Sequence, residues 1–131
     1  STGANIPASE AGRIVMETIM LTKPSLLIPV ENLKSAIAFF VEALGAQIKF
    51  QDGDRYCALR LQELDIGLAS GAERIVEAPS LVLRSLGLED DLDALAPLGA
   101  RLVATPETGP HERRAILESA AGIPIILSQK L

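Results

Sequence analysis

The chain has 131 residues, a formal net charge of −5 and 48% hydrophobic residues, which predicts one globular domain with a real core. An acidic chain without clustered Lys or Arg argues against nucleic acid and against anionic membrane surfaces as partners. One cysteine, Cys57, and one histidine, His111, exclude an intrachain disulfide and a Cys/His zinc site, and they suit a reducing, cytoplasmic setting.

Residues 1–22 read as an N-terminal extension, part of it expected to be foreign to the natural chain. Met16 and Met20 are candidate natural starts. The alternative is that residues 13–21 pack as an extra helix or strand on a partner subunit. No basic n-region with a long apolar run marks a signal peptide, and no apolar run approaches the roughly 20 residues of a spanning helix.

Residues 25–30 (SLLIPV) predict a strand. Asn32 is a good N-cap, and Leu33, Ile37, Phe40, Val41 and Leu44 form one face of a helix. Phe39 falls off that face. Gly45 sits where a helix exit wants a left-handed residue. Residues 46–51 alternate as a strand, the Asp52-Gly53-Asp54 turn closes a hairpin onto residues 56–61, and residues 66–69 follow a second turn at 63–65. After a linker the pattern restarts. Residues 80–85 (SLVLRS) predict a strand, and Leu88, Leu92, Leu95 and Leu98 mark a helix face. Pro97 should end that helix near Ala96. Strands follow at 100–104, 113–118 and 123–128, with a turn-rich stretch at 105–110 and a turn at Ala121-Gly122.

The order is βαβββ twice. Pro24-Ser25-Leu26 answers Pro79-Ser80-Leu81, and Leu44-Gly45-Ala46 answers Leu98-Gly99-Ala100. One such half is too small to bury its own sheet face, whereas two can enclose a common trough. The domain therefore divides into a module at 24–70, a linker at 71–78 and a module at 79–129.

These paired modules, the Val-x-Asn-Leu-x-x-Ala-x-x-Phe-Phe stretch at 30–40 and the Leu-Gly-Ala helix exit resemble the vicinal-oxygen-chelate superfamily, of the glyoxalase, bleomycin resistance protein and dioxygenase type. Pro106, Gly109, Arg113 and Gly122 resemble its second-module ending. The resemblance implies an α+β fold, with two βαβββ modules forming a curved mixed sheet around a shared cavity, and a homodimer. Metal-dependent members hold a divalent ion with His, Glu or Gln on inward strand positions, as a Lewis acid on vicinal substrate oxygens. Those positions fall here on Ser25, Ser80 and Ile126, and residues 66–69 offer no His, Glu or Gln. None ligates a hard cation well, so no metal and no cofactor is expected.

The resemblance then points to the metal-free branch, whose resistance-type members sequester a small molecule without transforming it. The candidate ligand-binding residues are Ser25, Leu27, Tyr56, Ser80, Val82, Arg113 and Ile126. Ser25 and Ser80 could donate hydrogen bonds, or be small residues after proline. Tyr56 could stack on a ligand, or pack. Arg113 and Arg114 must face opposite sides of their strand, and Arg113, matched to the family, could hold an anion or form a plain salt bridge. Scarce aromatics (Phe39, Phe40, Phe50, Tyr56, no Trp) weaken a stacked-drug reading. No catalytic residue is assigned. The alternative is a lyase, isomerase or oxygenase of the same superfamily, which would need acid–base work by Glu118, Arg113 or His111. Glu63 is a further possible base.

Overall fold

The computed structural model describes residue 19 and residues 21–131. Most of the predicted N-terminal extension, and the alternative packing of residues 13–21, lie outside the described residues. The elements are β1 (Leu21–Pro29), α1 (Leu33–Ala38), β2 (Gln47–Asp52), β3 (Tyr56–Leu61), β4 (Leu64–Ala69), β5 (Ser80–Ser85), α2 (Leu88–Leu95), β6 (Arg101–Thr108), β7 (Glu112–Glu118) and β8 (Pro124–Lys130). This is the expected α+β arrangement, βαβββ twice. Two compact units can be told apart, residues 24–82 and residues 83–131 with the start of β1 up to Lys23.

In the first unit the strands lie in the order β2-β3-β4-β1. β1 runs parallel to β4, while the β2–β3 and β3–β4 pairs are antiparallel. β1 starts at Leu21, earlier than the predicted residue 25, and runs through Pro24. Its ladder with β4 begins at Leu26, so the missing proline N–H breaks no bond in that ladder. α1 begins where the sequence says it should, with the Asn32 side chain accepting from the Ser35 N–H at 2.9 Å. It then widens into a π-turn at Phe39–Ala43. That wider turn carries Leu44 off the predicted face, and its side chain is exposed. Gly45 ends the segment at φ 79, in the left-handed region that glycine adopts without a Cβ clash.

α1 covers one face of this sheet. Leu33, Cys57, Leu59, Ile66 and Leu68 are buried there, with Leu26, Ile28, Ile37, Phe40 and Val41 packed around them. Each fully buried leucine contributes about 1.5–3 kcal/mol relative to exposure. By the period of two, Leu27, Tyr56, Ala58, Arg60, Asp65, Gly67 and Ala69 face the opposite side, hereafter the helix-free face.

In the second unit the order is β5-β8-β7-β6, with β6–β7 and β7–β8 antiparallel. Leu88, Ala115, Leu117 and Leu127 form the core, joined by Leu21, Leu83, Leu92, Leu95, Ala100 and Ile125. α2 has no side-chain cap from Gly87. Its first turn is held instead by Gln129, whose Oε1 accepts from the Leu88 N–H at 2.9 Å. The Ser85 hydroxyl donates to the buried Asp91 carboxylate at 2.5 Å. Pro97 ends the helix as predicted, and a 3₁₀ turn at Ala96–Leu98 follows, leaving Leu98 exposed. β6 is longer than predicted and takes in part of the expected turn at 105–110. Pro106 is tolerated because β6 lies last in its order and its register shifts between Ala104 and Glu107.

Candidate functional site

The helix-free face of the first unit carries the most distinctive local geometry. Cross-strand partners make a row from β2 to β1: Phe50 opposite Ala58, Ala58 opposite Gly67, and Gly67 beside Leu27. The two middle positions are small, and the outer two are large and apolar. The Tyr56 ring leans over the low point. A Cβ built on Gly67 would lie 2.7 Å from Tyr56 Oη, 2.9 Å from its Cε1 and 3.1 Å from Leu27 Cδ1. A glycine within a strand marks such a close approach, and here the approaching group is the chain's one tyrosine.

The next row is charged. Arg60 opposes Asp65 across β3 and β4. Arg60 Nε is 3.3 Å and Lys49 Nζ is 3.6 Å from Asp65 Oδ1. That oxygen is buried yet accepts no hydrogen bond. Lys49 reaches this side because β2 shifts register between Ile48 and Phe50, so that the irregularity turns two neighbouring residues toward one face.

Of the residues expected from the sequence, Leu27 and Tyr56 are brought together at Gly67. Ser25 is half-buried and lies on their face by strand alternation. Val82 is half-buried on the side of β5 opposite Leu83. The Ser80 hydroxyl does not serve as an open donor. It gives its hydrogen to the Ala78 carbonyl at 2.8 Å, and the residue is 1% exposed.

In the second unit Ile126 is 1% exposed and pairs with Ile116 on the side of that unit's sheet away from α2. Arg113 is on the other side. Its guanidinium holds the Glu89 carboxylate of α2 with both terminal nitrogens, at 2.8 and 2.6 Å. Of the two roles weighed for Arg113, an anion or a plain salt bridge, the structure has the salt bridge, on the α2 side of the sheet. Its hydrogen bond holds the Glu89 carboxyl below the ordinary range and raises the arginine in turn. Arg114 faces the opposite way, 3.8 Å from Glu112, whose carboxylate also accepts from Ser128 at 2.5 Å.

The residues weighed for acid–base work are scattered. Glu118 pairs with Arg101 at 2.5 Å, and Glu63 and His111 are exposed in turns. Among the described residues no three His, Cys, Asp or Glu side chains are grouped so that they could hold a metal ion. Burial pushes the Cys57 thiol up, which makes it a core group and not a nucleophile.

A hollow of about 250 Å³ lies on the α2 side of the second unit, lined by Leu21, Leu83, Leu95, Leu117, Ile125 and Leu127, with Ser119 as its polar group. Ser119 Oγ already accepts from the Ala121 and Ile123 N–H groups at 3.2 Å each.

Sequence reasoning missed Gly67, Phe50, Lys49, Arg60 and Asp65. The lone glycine inside an apolar strand was the signal for the first. A register shift has no comparable signature, so Lys49 and Phe50 could not be assigned to one face.

No family model matches the chain. An uncharacterised protein of Mycolicibacterium smegmatis is 26% identical over 98 residues, which cover 74% of this chain and 84% of that protein. Three solved structures are similar in backbone. A glyoxalase/bleomycin resistance protein/dioxygenase superfamily member from Vibrio splendidus 12B01 matches with a TM-score of 0.62 and 14% identity, over 86% of this chain and 100% of that one. Methylmalonyl-CoA epimerase from Mycobacterium tuberculosis matches with a TM-score of 0.62 and 20% identity, over 87% and 91%. A structure described as an NAD-dependent benzaldehyde dehydrogenase from Legionella pneumophila matches with a TM-score of 0.70 and 10% identity, over 83% and 100%. At these identities the likeness is one of fold, and fold alone does not carry an activity.

Proposed function

We propose that this chain, which has the glyoxalase/bleomycin resistance/dioxygenase fold, binds a small, largely apolar molecule on its helix-free face, without a metal and without transforming the ligand. The observation that carries this reading is the Tyr56–Gly67–Leu27 contact. It packs Tyr56 and Leu27 over Gly67 as an apolar floor on a sheet face, with few polar groups around it, as ligand sites combine apolar surface with few polar groups.

The residues do not fit a resident cation. At the positions where metal-dependent proteins of this fold carry ligands, the chain has Ser25, Ser80 and Ile126, and residues 66–69 of β4 offer no His, Glu or Gln. One hydroxyl is spent on a backbone carbonyl and the isoleucine is packed. No step through a metal is therefore derived.

This reading keeps the protein a homodimer. Phe39 and Phe50 are each 57% exposed, large rings of the type enriched at interfaces. It also keeps the protein cytoplasmic, in keeping with its one buried free thiol. No described helix is long and apolar enough to cross a membrane.

The test is a thermal-shift panel of small apolar and aromatic molecules, followed on the fluorescence of Tyr56. Hits that raise Tm and perturb the tyrosine signal, and that are recovered unchanged, support the reading. Turnover of a hit, or a panel with no hit, contradicts it.

A further inference from the structure

The low point around Tyr56 and Gly67 borders a patch of unbalanced charge. Two cations, Lys49 and Arg60, share one carboxylate, Asp65. The patch therefore carries one excess positive charge. The sharing is loose: neither contact is shorter than 3.3 Å, and Asp65 Oδ1 accepts no hydrogen bond from either. Among the described residues the guanidinium of Arg60 makes no hydrogen bond, and it is half exposed. Its remaining donors form the planar fork that matches a carboxylate. Ala58 lies one row away, half-buried, so an anion at Arg60 places its attached body over Ala58, beside the exposed Phe50 and against the Tyr56 ring that covers Gly67.

We propose that the ligand of this face is a small organic acid, a flat apolar ring carrying one carboxylate. The carboxylate would be held by Arg60 and Lys49, and the ring seated on Ala58 between Phe50 and Tyr56. The inference rests on the reading of the helix-free face as the binding site. It adds the chemical class.

The experiment titrates the full chain with benzoate, phenylacetate and 1-naphthoate, and with the amide of each, reading Tyr56 fluorescence and Tm. The same titrations are run on Arg60→Gln. Arg60 is half exposed in a loose ion pair, so its loss should leave folding intact; a denaturation curve of the variant checks this. The expected result is binding of the acids at least tenfold tighter than the amides. Arg60→Gln should erase that preference, and raising salt should weaken the acids alone. Equal binding of acid and amide, or acid binding unchanged in Arg60→Gln, overturns the assignment of ligand class and leaves the site reading standing. No binding of acids or amides overturns both.

Discussion

The ring of Tyr56 lies across Gly67 so closely that one added methyl group would stand 2.7 Å from the phenol oxygen. The two residues belong to adjacent rows of β3 and β4, since Tyr56 is paired with Ala69 and Gly67 with Ala58. Gly67→Ala must therefore displace the ring. The expected cost is about 1–3 kcal/mol, as for overpacking in a filled site. The chain has one tyrosine and no tryptophan, so near-UV circular dichroism and fluorescence report this ring with little competition. The variant should change both signals, and an unchanged tyrosine spectrum would show that the ring does not sit there.

Glu89 and Arg113 should make stability depend on acid. The hydrogen bond from Arg113 lowers the Glu89 carboxyl in the folded chain. A group lowered on folding stabilises above its unfolded value, and the contribution is lost as pH falls through the folded value. Denaturant curves of the wild type and Glu89→Gln should differ near neutral pH and converge in acid. A gap that stays constant or widens in acid goes against the pair as described. Both side chains are substantially solvated, so salt should narrow the gap as well.

Cys57 is fully buried, and burial raises its thiol. The native protein should therefore react with a thiol reagent at neutral pH only as fast as it opens, whereas denatured protein should react at once. Cys57→Ala should cost about 1 kcal/mol as a small cavity. Reaction of the native thiol at the rate of a free cysteine would contradict its place in the core.

Asp91 and Ser85 form a buried hydrogen bond that ties α2 to β5. Asp91→Ala leaves the Ser85 hydroxyl without that acceptor, at an expected cost of about 1–3 kcal/mol. Chemical denaturation measures it. A loss below a few tenths would place the helix start under the control of Gln129 alone.

Much of the fold was legible because its signals are local. Asn32 before an apolar stripe gave the start of α1, Gly45 its end, and Pro97 the end of α2. The errors arose where a distant or irregular feature decides. The predicted strand begins after Pro24, yet Pro24 lies inside β1 ahead of that strand's ladder with β4. Pro106 argued for a turn, yet β6 carries it at the end of its order. The site was less legible. The period of two put Arg113 and Arg114 on opposite faces, but which face is which depends on Glu89, far away in sequence on α2. The Ser80 hydroxyl looked open because its acceptor is a main-chain carbonyl, invisible in a list of side chains.

The proposed binding face needs no cation. Elemental analysis of the full chain, purified without chelator and then dialysed against an excess of zinc, manganese and nickel salts, measures this directly. The predicted result is no stoichiometric metal retained, and no rise in Tm with any of the three. One equivalent of a divalent metal per chain, retained through gel filtration and raising Tm, would contradict it.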